Sequence, residues 1–242
     1  MSDRSGPLEL WVCDEDGSNP LKLTAFGGPR VMLPQWSPDG QQILFSALTG
    51  LNGTFESHGV GQAGGALKRL SPANDPEFWS HPAVSRDGKW IYFAATISGS
   101  LQLWKQPVAG GKPIQITRNS GYRPLESPDG SHLYYGKHDV PGVWRVPVGG
   151  GEETRVLDSV GGRNWTVNSK GIYYFDFAVA QGAPKLVRLY RFRTQKVHNL
   201  GTVERTVSTD FSGISVSPDG RWLLYSHIAS TTSDLMLLDE FR

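Results

Sequence analysis

One short string returns along this chain. Ser37-Pro38-Asp39-Gly40 is repeated as Ser85-Arg86-Asp87-Gly88, Ser127-Pro128-Asp129-Gly130 and Ser217-Pro218-Asp219-Gly220, and Asn168-Ser169-Lys170-Gly171 is a worn copy. Each copy runs into a short apolar stretch rich in β-branched and aromatic residues, such as Ile43-Leu44-Phe45, Trp90-Ile91-Tyr92-Phe93 and Trp222-Leu223-Leu224-Tyr225. Proline presets φ at the first central position of a turn. Asp39, Asp87, Asp129 and Asp219 are turn formers that hydrogen-bond their own backbone. Gly40, Gly88, Gly130 and Gly220 supply the positive φ that closes a hairpin with a bulge. The leading residues are spaced by 48, 42, 41 and 49 positions. A period in the forties, with several short strands per period, predicts an all-β chain: a β-propeller of four-stranded antiparallel blades, about six of them. Unrelated hairpins in a sandwich would have no reason to repeat one turn at one period.

The totals agree with this reading. Over 242 residues there are 29 glycines, 16 prolines and, counting Trp, Tyr and Phe, 26 aromatic residues, a mixture suited to short strands and tight turns. The formal net charge is +1 with the two signs interspersed. A nucleic-acid surface is excluded as the main function, because phosphate binding needs clustered Lys and Arg. Cys13 stands alone, so there is neither an internal disulfide nor a cysteine-rich metal site. No apolar run reaches the roughly 20 residues of a membrane span. Residues 1–6 have no apolar core behind them, so no secretory signal is read here. The chain as encoded is expected in the cytoplasm, or in the periplasm as a piece of a longer parent.

The whole chain, residues 1–242, reads as one propeller domain. It opens inside a repeat with a partial blade over 8–28. Blades over 34–70, 77–118, 122–158 and 163–200 follow, and a partial blade occupies 208–242. The terminal blade is either built from both chain ends or left incomplete. Trp11, Trp104 and Trp144 occupy equivalent places and are expected to pack between blades. In the repeat from Pro34 to Leu70 the glycine-rich run 52–65 predicts a short or irregular third strand and a mobile loop.

The repeat Ser-Pro-Asp-Gly, apolar run, Leu-x-Leu-Trp-Val, Asp-Gly, Leu-x-x-Leu-Thr resembles the WD-like blades of TolB-type propellers, from Leu8 onward. Residues 151–158, 202–205, 214–221 and 233–242 resemble more narrowly the C-terminal sensory propellers of large bacterial regulators. There a winged-helix or Ser/Thr kinase domain precedes the propeller. Neither lies in this sequence, so neither DNA binding nor kinase activity carries over. The likeness implies a non-catalytic, protein-interacting or ligand-sensing module, N-terminally truncated relative to that family. It also brings an alternative, since related propellers precede the catalytic domains of prolyl-oligopeptidase-type peptidases. An incomplete gene product without an independent role is a third reading.

Chemistry is sparse in the sequence. Gly213-Ile214-Ser215-Val216-Ser217 puts serine where a nucleophile elbow needs its second glycine. A lactonase- or lyase-like propeller would need carboxylates, Asn or His converging on the channel. Residues just before each innermost strand should line that channel. Counting back four and five from each turn gives Met32 and Leu33, Ser80 and His81, Tyr122 and Arg123, Arg163 and Asn164, Ser212 and Gly213. Acids are missing from that ring, with Glu77, Glu126 and Asp210 nearest to it. No catalytic residue, metal or cofactor is therefore assigned. His81, Tyr122, Arg123, Arg163 and Asn164 are the candidate binding residues at the channel mouth, for a protein or peptide partner or a small anionic ligand. The same polar walls also fit a merely water-filled channel. His58, His132, His138, His198 and His227 show no ligand spacing and read as surface or strand residues.

Overall fold

The computed structural model describes residues 1–28, 30–49, 54–71, 79–138, 140–160, 162–176, 184–203, 207, 213–229 and 232–238. Among them every regular element is a β-strand, and sequential strands pair antiparallel with their chain neighbours. The chain divides into two compact units, residues 1–124 with 149–151 and residues 125–148 with 152–242.

The first unit begins with a turn. Ser2 and Glu9 exchange main-chain hydrogen bonds of 2.9 and 3.0 Å around Asp3–Gly6. Then β1 (Trp11–Val12) and β2 (Leu21–Lys22) form a two-stranded sheet of their own. Two complete blades follow. One comprises β3 (Arg30–Trp36), β4 (Gln42–Thr49), β5 (Thr54–Gly61) and β6 (Lys68–Arg69). The other comprises β7 (Trp79–Val84), β8 (Trp90–Ala95), β9 (Gln102–Pro107) and β10 (Ile114–Gln115). Successive side chains of a strand point to opposite faces, so a strand in a stack of blades needs apolar residues on both. Strand β4 meets that demand. Ile43, Phe45 and Ala47 pack with Leu10, Leu23, Val31 and Val60, while Leu44 packs with Trp79, Ile91, Phe93 and Trp104 on the other side. Burying one such Phe or Leu side chain is worth about 1.5–3 kcal/mol.

The threonine that ends two of the repeats, in Leu23-Thr24 and Ile116-Thr117, has a structural purpose that composition does not show. The Thr24 hydroxyl accepts the Leu10 N–H at 2.9 Å and donates to the buried Glu9 carboxylate. The Thr117 hydroxyl does the same for Leu103 N–H, at 2.9 Å, and for the Gln102 side-chain oxygen, at 2.8 Å. A buried polar group must find a partner, and threonine supplies one on the adjacent strand.

From Thr54 onward the glycine-rich run departs from expectation, and residues 52 and 53 lie outside the described residues. Strand β5 is eight residues long and pairs with β4 at every position from Thr49↔Thr54 to Gln42↔Gly61. Its glycines are offset by aromatic packing. His58 is stacked on Phe45 at 5.6 Å and edge-on to Phe26 at 5.5 Å. The strand then ends in a tight turn, with Gly64 N–H donating to Gly61 C=O at 2.9 Å.

The second unit holds the later blades, and its boundary with the first falls inside β11 (Tyr122–Glu126), after Pro124. Strand β11 opens a sheet continued by β12 (His132–Gly136), β13 (Val143–Pro147) and β14 (Thr154–Leu157). The next sheet is β15 (Trp165–Val167), β16 (Gly171–Asp176), β17 (Lys185–Arg191) and β18 (Lys196–Val203). A three-stranded sheet closes the described chain, with β19 (Ile214–Val216), β20 (Leu223–Ala229) and β21 (Thr232–Leu238). Strand β16 again serves two cores. Ile172 and Tyr174 pack with Val143, Leu157 and Trp165, and Tyr173 and Phe175 pack with Val187, Ile214 and Leu223. The four-stranded antiparallel units are propeller blades.

The recurring turn is built the same way four times. Ser37 Oγ donates to Asp39 Oδ1 at 2.5 Å and accepts the Gln42 N–H at 3.0 Å, while Asp39 Oδ1 accepts the Gln41 N–H at 3.0 Å. Gly40 follows at φ 68°. The corresponding serine hydroxyls donate to Asp87 at 2.6 Å, Asp129 at 2.6 Å and Asp219 at 2.5 Å, and accept N–H from Trp90, His132 and Trp222. These bonds hold all four carboxyls below the usual carboxylate range, with the serine hydroxyl as the first cause in each. Arg86 in place of proline leaves the pattern intact.

Candidate functional site

The ends of the innermost strands carry a feature the turn alone does not announce. Three times, a residue followed by proline stands four positions before the turn serine: Leu33-Pro34, His81-Pro82 and Arg123-Pro124. All three leading residues have positive φ, at 58°, 54° and 56°. The register of β3 slips between Met32 and Gln35, and that of β7 between Ser80 and Ala83. These slips are β-bulges, which re-aim a side chain. Proline fits there because it has no N–H to lose from the ladder. The left-handed conformation of a non-glycine residue costs on the order of 1–3 kcal/mol, so surrounding structure must hold it. Part of that hold is visible at His81, whose main-chain N–H donates to the buried Ser46 hydroxyl at 3.1 Å. The neighbouring Ser57 hydroxyl donates to the Trp79 carbonyl at 3.3 Å.

In the first unit His81 and Tyr122 lie side by side. Their rings lie 5.6 Å apart, tilted at 54°. His81 Nδ1 is hydrogen-bonded to Ser80 Oγ at 2.8 Å. His81, Tyr122 and Arg123 are 6, 7 and 8 % exposed, so only a small part of each residue reaches solvent. Imidazole, phenol and guanidinium together offer donors and an aromatic face, a set suited to a carboxylate, a backbone carbonyl or an anion.

Arg163 and Asn164 lie in the second unit. Arg163 is half-buried and Asn164 buried, with the Asn164 carbonyl accepting the Phe175 N–H at 3.0 Å. The Asn164 side-chain oxygen has no hydrogen-bond partner among the described residues. Asn164 also stands four positions before its turn, but Trp165 follows it in place of proline. Strand β15 accordingly pairs in unbroken register, Trp165↔Tyr174 to Val167↔Ile172. Glu77, Asp210 and Ser212 fall outside the described residues. Among the described residues no group of three or more His, Cys, Asp or Glu could hold a metal ion.

Two charged clusters were not singled out in the sequence. In the first unit Glu56 bonds His58 Nε2 at 3.2 Å and pairs with Arg69 at 3.2 Å. Burial pushes the His58 imidazole below its ordinary pKa, against the pull of Glu56. In the second unit Lys137 and Glu153 form a partly buried ion pair at 2.7 Å, and the Lys137 ammonium sits 3.9 Å from the centroid of the Trp144 ring. Burial, then Glu153, pushes the Tyr135 phenol up. Trp144 is thus a platform for a cation, as Trp11 is for Arg4 at 5.1 Å, whereas Trp104 packs into an apolar cluster. Only side chains across the strands, invisible in the repeat itself, separate these fates.

The comparisons with known proteins agree with this geometry. The chain is 27% identical over 137 residues to a TolB homolog of Chlorobium chlorochromatii, covering 56% of this chain and 30% of that protein. It spans about half, or less, of the length of the curated relatives it matches. Among solved structures it superposes on TolB from Acinetobacter baumannii with a TM-score of 0.76 at 20% identity, covering 98% of this chain and 59% of that one. It superposes on an oligogalacturonate lyase in complex with manganese with a TM-score of 0.65 at 15% identity, covering 98% and 69%. Both likenesses show the fold, and propellers of this fold include enzymes. The TolB beta propeller domain model matches residues 2–240, and the chain belongs to that family.

Proposed function

We propose that this chain is a recognition module that binds without chemistry, the propeller part of a larger bacterial regulator. Its ligand is a protein segment or a small anion received at the bulged ends of the innermost strands. His81 and Arg123 supply the polar contacts and Tyr122 the aromatic one. The observation that carries the reading is the recurring bulge. Local strain is maintained at the positions where His81 and Arg123 stand, and β15, without it, is regular. Strain of this kind gathers where a side chain must be held in place for binding.

The test replaces Tyr122 by a photo-crosslinking phenylalanine analogue and exposes the whole chain to the proteins of its source cell. A discrete adduct is expected at position 122, absent when the analogue replaces Gln41 in a turn, and lost on Arg123→Ala in a variant with unchanged circular dichroism. Indifference to the site or to Arg123 would sink the reading. So would turnover of oligogalacturonate by the purified chain with manganese, which would move it to the enzymes.

A further inference from the structure

The outer strands of the blades are unequal, and the exception adjoins a cavity. Strands β6 and β10 are two residues long and β14 is four, but β18 runs for eight, Lys196–Val203. It pairs with β17 from Arg191↔Lys196 to Lys185↔Val203 and ends its sheet, so its other edge presents main-chain donors and acceptors. Lys196, Val197, His198, Asn199, Gly201 and Thr202 are exposed. Sheet edges are commonly shielded by being short, by proline or by charge. This one has no proline and a single lysine, at its first position, and offers about 26 Å of strand edge with no ladder partner among the described residues.

Val197 of β18 also lines a cavity of about 490 Å³ within the second unit. Val156, Leu157 and Val160 form its apolar wall, and Tyr174, Tyr190, Asp176 and Arg188 the other side. The charges there are already matched. Arg188 pairs with Asp176 at 2.9 Å, and Asp158 with Arg155 at 3.1 Å. One donor is left over, because Arg188 Nε is buried without a hydrogen-bond partner among the described residues. A neutral acceptor on an apolar stem would satisfy it, and a second full charge would have no counter-ion.

We propose that β18 is a docking edge for an extended segment of a partner protein. The segment adds as a strand beside β18 and lowers one uncharged, acceptor-tipped side chain, of the glutamine type, into the cavity beside Val197. Main-chain pairing supplies affinity and the cavity supplies selectivity, the division seen wherever a peptide extends a sheet. Arg191 at the end of β17, Arg193 in the turn and Lys196 at the start of β18, all exposed, favour a segment that is acidic at the adjoining end. This surface is separate from the His81 site and does not rest on it.

The probe is a displayed library of random nine-residue peptides selected on the full chain, with the recovered peptides synthesised and titrated. Expected are peptides with acidic residues at one end and glutamine within, which slow amide hydrogen exchange across residues 196–203. Val197→Asp, at an exposed position, should weaken them at least tenfold, and Arg123→Ala should leave them unchanged. Arg188→Lys, which keeps a cation for Asp176 but removes Nε, should abolish the preference for glutamine while acidic peptides still bind. The proposal fails if no peptide protects 196–203, or if binding ignores Val197→Asp. It fails equally if the chain dimerises in sedimentation and Val197→Asp abolishes the dimer, since the edge would then be covered by a second copy.

Discussion

The blade that starts at Trp79 and the blade that starts at Trp165 have the same strand order and differ in every place where a residue is asked to do more than fill a sheet. In the first, the innermost strand is bulged at His81-Pro82, the hairpin is Ser85-Arg86-Asp87-Gly88, and the outer strand has two residues. In the second, the innermost strand is regular, the hairpin is Asn168-Ser169-Lys170-Gly171, and the outer strand has eight. The hairpins are not the same turn with different letters. Ser85 pairs with Trp90 across four intervening residues, but Asn168 pairs with Gly171 across two. The shorter turn keeps one element of the longer, a side-chain oxygen at its head: Asn168 Oδ1 accepts the Lys170 N–H at 2.8 Å, where Ser85 Oγ accepts from Trp90. What the fold requires is the antiparallel pairing of the inner strands. Turn length, bulge and outer edge are free to change.

The largest effect that would test this contrast lies at the two turn glycines. Gly88 stands at φ 70° with open space where a Cβ would go, so Gly88→Ala meets only the left-handed penalty, about 1–2 kcal/mol. At Gly171 a Cβ would lie 1.9 Å from the Tyr190 carbonyl oxygen and 2.9 Å from Leu189 Cδ1. Backbone cannot swing aside there as a flexible side chain could. Gly171→Ala should therefore cost roughly 3 kcal/mol or more, read as the loss of urea midpoint. Equal costs at the two sites would mean that the close approach of β16 to β17 is not what the shorter turn depends on.

Next in size are the heads of the turns. Ser85→Ala removes an acceptor for the Trp90 N–H and a donor to Asp87, a loss of about 1–2 kcal/mol. Asn168→Ala removes the bond to the Lys170 N–H and should cost about 1 kcal/mol. An Asn168 penalty above that of Ser85 would reverse the order and point to its buried amide, which faces the turn at Gly220: a Cβ at that glycine would lie 3.2 Å from Asn168 Nδ2.

Much of the fold was legible because turn chemistry is local. Proline, aspartate and glycine act within four residues, so a repeat of them reports strand ends directly, and the blades follow from the period. The structure adds what depends on residues far apart. The serine that opens each turn is bonded as fully as the aspartate, yet nothing in its identity tells a capping hydroxyl from a solvated one. The positive φ at 33, 81 and 123 was visible in principle as a proline three positions before three of the four turn serines, at 34, 82 and 124, a second periodicity masked by the first. Strand β5 looked too rich in glycine to be regular, and regularity came from Phe26 and Phe45 closing on His58. The candidate residues at 81, 122 and 123 come from counting back from the turn, and at that constant offset His81 and Arg123 share a positive φ that no residue identity announces. The cavity beside Val197 was out of reach of the repeat, since its walls come from β14, β16, β17 and β18.

The smallest effect separates the turns by charge. Asp87 is held below its ordinary pKa, first by the Ser85 hydroxyl and then by the Lys89 N–H, so its ionised form belongs to the folded hairpin. A carboxyl with a depressed folded pKa contributes stability that is complete above the unfolded value near 3.9 and is lost as pH falls through the folded value. The group is fully exposed, so its share is modest, and salt screens the Lys89 pairing at 3.6 Å. The signature is therefore in the shape of the pH profile. Asp87→Asn should lower the urea midpoint at pH 6, and the gap to the parent chain should close as both are titrated below pH 3. The turn at Asn168 carries no acid, so the offset from Asn168→Ala should stay constant over the same range. A constant gap for Asp87→Asn would mean that the carboxylate acts through its shape alone, and the two hairpins would then differ in length but not in electrostatics.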